Sequence, residues 1–254
     1  MNSFAIKVLT APLGHTHLFY VGQAGYIIKS QRGQLLGIDM YLTECVERVE
    51  GHMGFKRLLP KILDPFDLVF DILIATHSHF DHFDMDAIPQ LMSNQKTKLF
   101  ASKECKKEVE RLKMNHQNCT YVAPDDSVKA GDFLIDFVNC DHGLGAPDAV
   151  GAVINVDGKK IYEAGDTCLR LDQAGETKSK GPFDVMIAPI NGAYGNLNEK
   201  ECVMLAEAIS PKLTIPCHYG MFASHGGNPG LFYQYAAEKN IDCLLMAMGE
   251  KYTL

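Results

Sequence analysis

Apolar residues fall in short runs along this chain, and the runs are separated by Gly, Pro, Asn and Asp. Short apolar runs bounded by turn residues read as buried strands. Phe4 to Thr10 alternates like a strand. Phe19 to Ser30 and Gln34 to Tyr41 follow, with Gln31-Arg32-Gly33 as the turn between them. Leu68 to Ala75 and Lys98 to Ala101 are the next two. Asp132 to Cys140 alternates apolar and polar. Ala149 to Val156 and Lys160 to Ala164 flank Asp157-Gly158, a hairpin signal. Asp184 to Ile190, Leu213 to Cys217 and Ile241 to Met246 complete the predicted strands. Helices are predicted over Met85 to Asn94 and from an N-cap at Ser102 to about Met114. Another is capped by Asn198 and stopped by Pro211. The last starts at Asn228-Pro229 and runs to about Lys239. Between Met40 and Asp67 the pattern weakens. Glu44 to Glu50 has a helical turn or two, then Pro60 and Pro65 break the chain. This segment is either a lid or wall of a site or a plain surface crossover.

One stretch changes the picture. Leu68 to Ala75 runs directly into Thr76-His77-Ser78-His79-Phe80-Asp81-His82-Phe83-Asp84. Three histidines and an aspartate leaving the end of a buried strand are aimed into one small volume, as metal donors are. A surface loop seldom carries such a cluster beside a buried strand. Three later strand-like runs also end in a candidate donor. Phe133 to Cys140 leads to His142, Lys160 to Ala164 leads to Asp166, and Leu213 to Cys217 leads to His218. A lone strand-end histidine is more often a hydrogen-bonded structural residue. Four recurrences shift that weighing, because strand ends on one sheet edge converge on one crevice. Five imidazoles and two carboxylates exceed what one ion takes and suit two. Asp166 is the natural bridge. Mixed N/O donors fit Zn or Mn, with Fe also open.

Composition narrows the partners. The 254 residues are 46% apolar, which suits one large domain spanning 1–254. No apolar run approaches the ~20 residues that span a bilayer. The N-terminus lacks a basic region followed by an apolar core, so the cytosol is the expected location. A net charge of -7 disfavours nucleic acid, which needs many neutralised phosphates. The eight cysteines are scattered, with no CxxC pair, and read as reduced core residues rather than a disulfide framework. The Lys/Glu run after Ser102 reads as a solvated face.

The order HxHxDH after an apolar strand, a single His, Gly-Asp-Thr at 165–167 and a late strand-end His resembles the metallo-β-lactamase fold superfamily over about Phe4 to Leu254. The resemblance implies an α/β fold, a four-layer αββα sandwich of two similar halves meeting near 125–132. It implies that His77, His79 and His142 hold one metal, that Asp81, His82 and His218 hold a second, and that Asp166 bridges them. DHFD at 81–84, Asp184 to Gly195 and Ile215-Pro216-Cys217-His218 are similar to the ascorbate-6-phosphate lactonase-like (UlaG-like) branch. That branch implies a Zn- or Mn-dependent lactonase acting on a small phosphorylated sugar lactone.

The chemistry expected is hydrolysis of a lactone or ester by a hydroxide held between two divalent ions, with Asp81 as ligand or base. Asp39 and Asp84 are candidates to orient a histidine, or else simple strand-end and capping residues. Arg170 either reaches an anionic substrate or lies on the surface. Tyr194 either donates to substrate or packs. His225 to Asn228 forms an anion cradle or a plain helix entry. The expected partner is a small molecule, without nucleic acid or membrane, in a chain that could form a homo-oligomer. Alternatives are a phosphodiesterase or nuclease on the same fold, a di-iron redox protein, and a non-catalytic metal scaffold. Acidic composition opposes a nuclease, and the chain has no room for a fused flavodoxin-like domain.

Overall fold

The computed structural model describes residues 2–254. Two sheets stack with helices on both outer faces. The first sheet contains β1 (His17–Gly22), β2 (Gly25–Lys29), β3 (Leu35–Ile38), β4 (Ile72–Ala75), β5 (Lys98–Ser102) and β6 (Cys119–Val122). The second contains β7 (Ser127–Ala130), β8 (Phe133–Asn139), β9 (Val150–Val156), β10 (Lys159–Glu163), β11 (Val185–Pro189) and β12 (Thr214–Cys217). A last strand, β13 (Lys251–Thr253), returns to pair antiparallel with β1. The first sheet runs antiparallel from β1 to β3 and then parallel through β4, β5 and β6. The second runs antiparallel from β7 to β10 and then parallel through β11 and β12. Both sheets therefore pass from a meander to parallel crossovers, and parallel strands are covered on both faces.

The pleat explains the core. Phe133, Ile135 and Phe137 of β8 point between the sheets and meet Ile28, Ile38, Ile72 and Ile74 of the first sheet. The outer face of the first sheet is covered by α1 (Ser3–Thr10), α3 (Ala87–Leu91) and α4 (Cys105–Arg111), through Phe4, Val8, Ile88, Leu91 and Val109. The second is covered by α5 (Ala174–Ser179), α6 (Glu199–Ile209) and α7 (Pro229–Glu238), through Ala174, Val203, Leu205 and Phe232. A further helix, α2 (Cys45–Glu50), lies in the segment between β3 and β4. All eight cysteines are free thiols. No helix among the described residues is long and apolar enough to cross a membrane.

Four expected elements differ. Phe19 to Ser30 is not one strand, because the chain turns at Gln23, at a φ of 55°, so that β1 and β2 pair antiparallel. Phe4 to Thr10 is helical, because Asn2 caps it and Phe4, Ala5 and Val8 form one buried stripe. Exposed Ile6 and Leu9 on its other side mimic strand alternation in sequence. Ser102 ends β5 instead of capping α4, whose N-cap position is Glu104. Ile241 to Met246 is not a strand. It meets β12 at one isolated bridge, Thr214 with Cys243, and the chain then turns to form β13. Asp157-Gly158 does form the hairpin between β9 and β10, with both residues at positive φ.

Candidate metal centre

The donors sit where strands end. His77, His79, Asp81 and His82 follow β4, His142 follows β8, Asp166 follows β10 and His218 follows β12. His77 Nε2 lies 2.9 Å and His142 Nε2 3.2 Å from His79 Nδ1. Three ring nitrogens thus face one point. Asp81 Oδ2 lies 3.3 Å from His218 Nε2 and 3.6 Å from His82 Nε2, and the two rings are 3.3 Å apart at those atoms. Asp166 Oδ2 stands between the groups, at 3.0 Å from His218, 3.4 Å from His82 and 3.9 Å from His142. These seven residues make up the described groups that could hold an ion.

The donor set fits a divalent cation. Donor atoms on one tetrahedral ion lie roughly 3.3 Å apart, from metal–nitrogen bonds of about 2.0 Å. Three imidazoles facing each other cannot all donate to one another, whereas a cation takes a lone pair from each. Burial holds the His77 imidazole well below its usual range and brings His142 down to about 4, so both rings are neutral, the ligating form. Burial alone would raise Asp81 and Asp166, but the facing His82 and His218 rings hold both carboxylates well below the usual range. Burial works to lower His82 and His218. Asp166 and its neighbouring carboxylates outweigh it, pulling His82 well up and His218 to about 9. An ion binding there must displace those protons, so affinity falls as pH falls.

Asp39 stands behind His82. It follows β3 at a φ of 45° and is fully buried. Its carboxylate accepts from Thr76 N at 2.8 Å, Thr76 Oγ1 at 2.7 Å and His82 Nδ1 at 2.7 Å. That bond turns His82 Nε2 toward the cluster. Asp84 contacts no histidine. It accepts from the amides of Leu42 and Thr43 and from those of Asp86 and Ala87, tying the segment after β3 to the start of α3.

A cavity of about 240 Å³ opens over the donors. Tyr194 and His225 line it, as do Glu50, Met53 and Phe55. The segment between Met40 and Asp67 therefore supplies a wall. It is strapped down by Leu58 N to Met221 O at 2.8 Å and Ser224 N to Gly54 O at 3.0 Å. Asn228 does not line the cavity. It caps α7, accepting from Gly230 N and Leu231 N. Arg170 also lies elsewhere, with Nη1 on Asp141 at 2.5 Å and Nη2 on Asp172 at 2.7 Å. Replacing Arg170 with alanine is accordingly expected to leave KM for an anionic ester within about 2-fold of the parent, measured by steady-state hydrolysis, since exposed ion pairs contribute little.

Two residues in the site are not evident from sequence. Gln23, buried at the β1–β2 turn with a φ of 55°, donates from Nε2 to Asp81 Oδ2 at 2.8 Å and lies 3.0 Å from His218 Nε2. Asn196 donates from Nδ2 to Asp166 Oδ2 at 2.8 Å. Each is an amide beside a glycine, Asn196 is one of three asparagines between 191 and 198, and Gln23 interrupts an otherwise apolar stretch.

The model of the β-lactamase superfamily domain matches residues 41–219, more than half of the chain. A UPF0173 metal-dependent hydrolase of Enterococcus faecalis is 32% identical over 178 residues, covering 66% of this chain and 76% of that protein. Another, from Thermococcus onnurineus, is 26% identical over 223 residues, covering 80% and 96%. The structure of Igni18, described as a novel metallo hydrolase from Ignicoccus hospitalis, superposes with a TM-score of 0.73 at 22% identity, covering 94% of this chain and 98% of that one. With a buried His/Asp cluster at the strand ends and this match along most of its length, the chain belongs to the metallo-β-lactamase superfamily, among relatives described as metal-dependent hydrolases.

Proposed function

We propose that the protein is a dinuclear metallohydrolase that opens a lactone or ester of a small substrate. The observation that carries this reading is Asp166 Oδ2, which lies within 4 Å of rings from both donor groups. His77, His79 and His142 would hold one ion, and Asp81, His82 and His218 the other, with Asp166 shared. Two divalent ions, Zn or Mn in keeping with the N/O donors, would supply a nucleophile from water at neutral pH and a Lewis acid for the carbonyl. The residues supply the rest. Asp39 fixes the tautomer of His82, and Gln23 and Asn196 orient Asp81 and Asp166. Asp81 is the carboxylate able to take a proton beside the reacting carbonyl. Tyr194 and His225 stand on the cavity wall, where substrate is held.

The UlaG-like reading supports lactone or ester chemistry. Its phosphorylated substrate finds less support, because Arg170 is engaged by Asp141 and Asp172. The test is hydrolysis of a lactone and ester panel, with a phosphodiester on the same metal-loaded sample and a chelated control. Turnover of a lactone or ester that chelator abolishes is the expected result. Turnover of the phosphodiester alone would move the protein to the phosphodiesterase class, and turnover insensitive to chelator would refute the metal's role.

A further inference from the structure

We infer that the cavity selects small substrates that carry no negative charge and that present an apolar or aromatic arm to a corner built from Phe55, Tyr194 and His225. This rests on the hydrolytic reading above and names its substrate class. The three rings stand at nearly equal spacing: 5.5 Å from Phe55 to Tyr194, 5.4 Å from Phe55 to His225 and 5.5 Å from Tyr194 to His225. Such spacing is normal for packed aromatic pairs, so the corner is already formed. Phe222 backs Phe55 at 5.5 Å. The backbone strap between 54–58 and 221–224 holds the corner in place. A volume near 240 Å³ takes a ligand below drug size.

Charge gives the second half of the argument. Among the described residues that line the cavity there is no lysine and no arginine, and Glu50 is one of them. Each guanidinium nearby is committed elsewhere. Arg57 donates to the carbonyls of Thr43 and Leu59 and stacks on Tyr41 at 4.7 Å. Arg111 lies over Phe80 and is bound to Glu108 at 2.5 Å. Arg170 is held by two aspartates. An anionic group held at the aromatic corner, away from the metals and the reacting carbonyl, would lose water there with no side-chain cation to receive it. Glu50 adds repulsion when ionised and offers no positive charge when protonated. A neutral or cationic arm avoids both costs.

The test is a set of phenyl acetates whose ring carries a para methoxymethyl, trimethylammoniomethyl or sulfomethyl group. The carbonyl and the leaving oxygen are then closely matched, and only the remote charge differs. On the metal-loaded protein, kcat/KM for the uncharged ester is expected to exceed that for the sulfonate by about 30-fold. Glu50→Lys is expected to shrink that ratio by about 10-fold or more, on the same Coulombic ground. Phe55→Ala is expected to raise KM of all three by roughly 10-fold without moving the ratio. A preference for the sulfonate, or a ratio that Glu50→Lys does not move, would overturn the inference. If none of these esters is turned over, the hydrolytic reading is decided separately by the lactone and phosphodiester panel. Selectivity is then read from calorimetric binding of the three parent phenols. Weaker binding of the sulfonate by about 10-fold supports the inference, and equal binding overturns it.

Discussion

Replacing Asp166 with alanine is expected to take bound metal from two ions per chain to one or fewer, and to lower hydrolysis by about 10³-fold or more. The size of the effect follows from position. Asp166 Oδ2 is within reach of His218, His82 and His142, so in the proposed bridging role its loss would remove a donor from each half of the centre. It would also remove the carboxylate that lies against three buried imidazoles. The neighbouring Asn196 would lose its acceptor. Asp172→Ala, on the exposed partner of Arg170, serves as the control and should keep both metals. Metal content by plasma emission and a far-ultraviolet spectrum on the same samples check the result. Full metal content in a folded Asp166→Ala protein would remove Asp166 from the bridging position.

The second large effect belongs to Asp39, which acts through His82. Asp39→Ala leaves the amide and hydroxyl of Thr76 and the Nδ1 of His82 buried without an acceptor. Breaking a buried charged network of this kind costs about 3–5 kcal/mol of stability. Asp39→Asn separates folding from metal binding. Its amide oxygen can still accept from Thr76, but its NH2 group would donate to His82 Nδ1. The ring proton would then sit on Nε2, the atom that faces the centre. Asn is therefore expected to keep most of the stability while weakening metal binding by about 10–100-fold. Urea denaturation and a competitive chelator titration measure the two quantities. Equal loss of stability in both variants, with unchanged metal affinity, would make Asp39 a purely structural residue.

The candidate donors were legible in sequence because four of them fall within six positions and the rest follow apolar strands. A strand buried on both faces is readable as a run, and its end fixes where the next side chains go. His77, His79, Asp81 and His82 all leave β4 within six positions. The strands and capped helices were legible for the same reason, while their stacking into layers was implied by the family resemblance: Asn198 forms a capping box with Glu201, and Asn228 caps α7. What escaped reading depends on partners distant in the chain. Gln23 reaches Asp81 across 58 positions. Arg170 stands close to Asp166 in sequence, but Asp141 and Asp172 claim it first. Asp84 shares its neighbourhood with the candidate ligands yet serves backbone amides of another loop. The N-terminal helix was misread because its period can be judged only over eight residues, too few to separate 3.6 from 2 when both faces carry apolar side chains.

The wall segment between Met40 and Asp67 links fold to specificity. It holds itself together through α2 and through Arg57, which donates to the carbonyls of Thr43 and Leu59, and further backbone bonds tie it to 221–224. Through it, Glu50, Met53 and Phe55 reach the same cavity as His79, Asp81 and His218. Change in this segment is thus expected to alter which molecule is bound while leaving the donors in place.

The most direct test of the account is the number of metal ions bound per chain in protein purified without chelator, counted by plasma emission against amino-acid analysis. Two ions per chain, both lost on chelation together with ester or lactone hydrolysis, is the predicted result. A folded chain that binds no ion would contradict it, and one ion that Asp166→Ala does not disturb would contradict the shared centre.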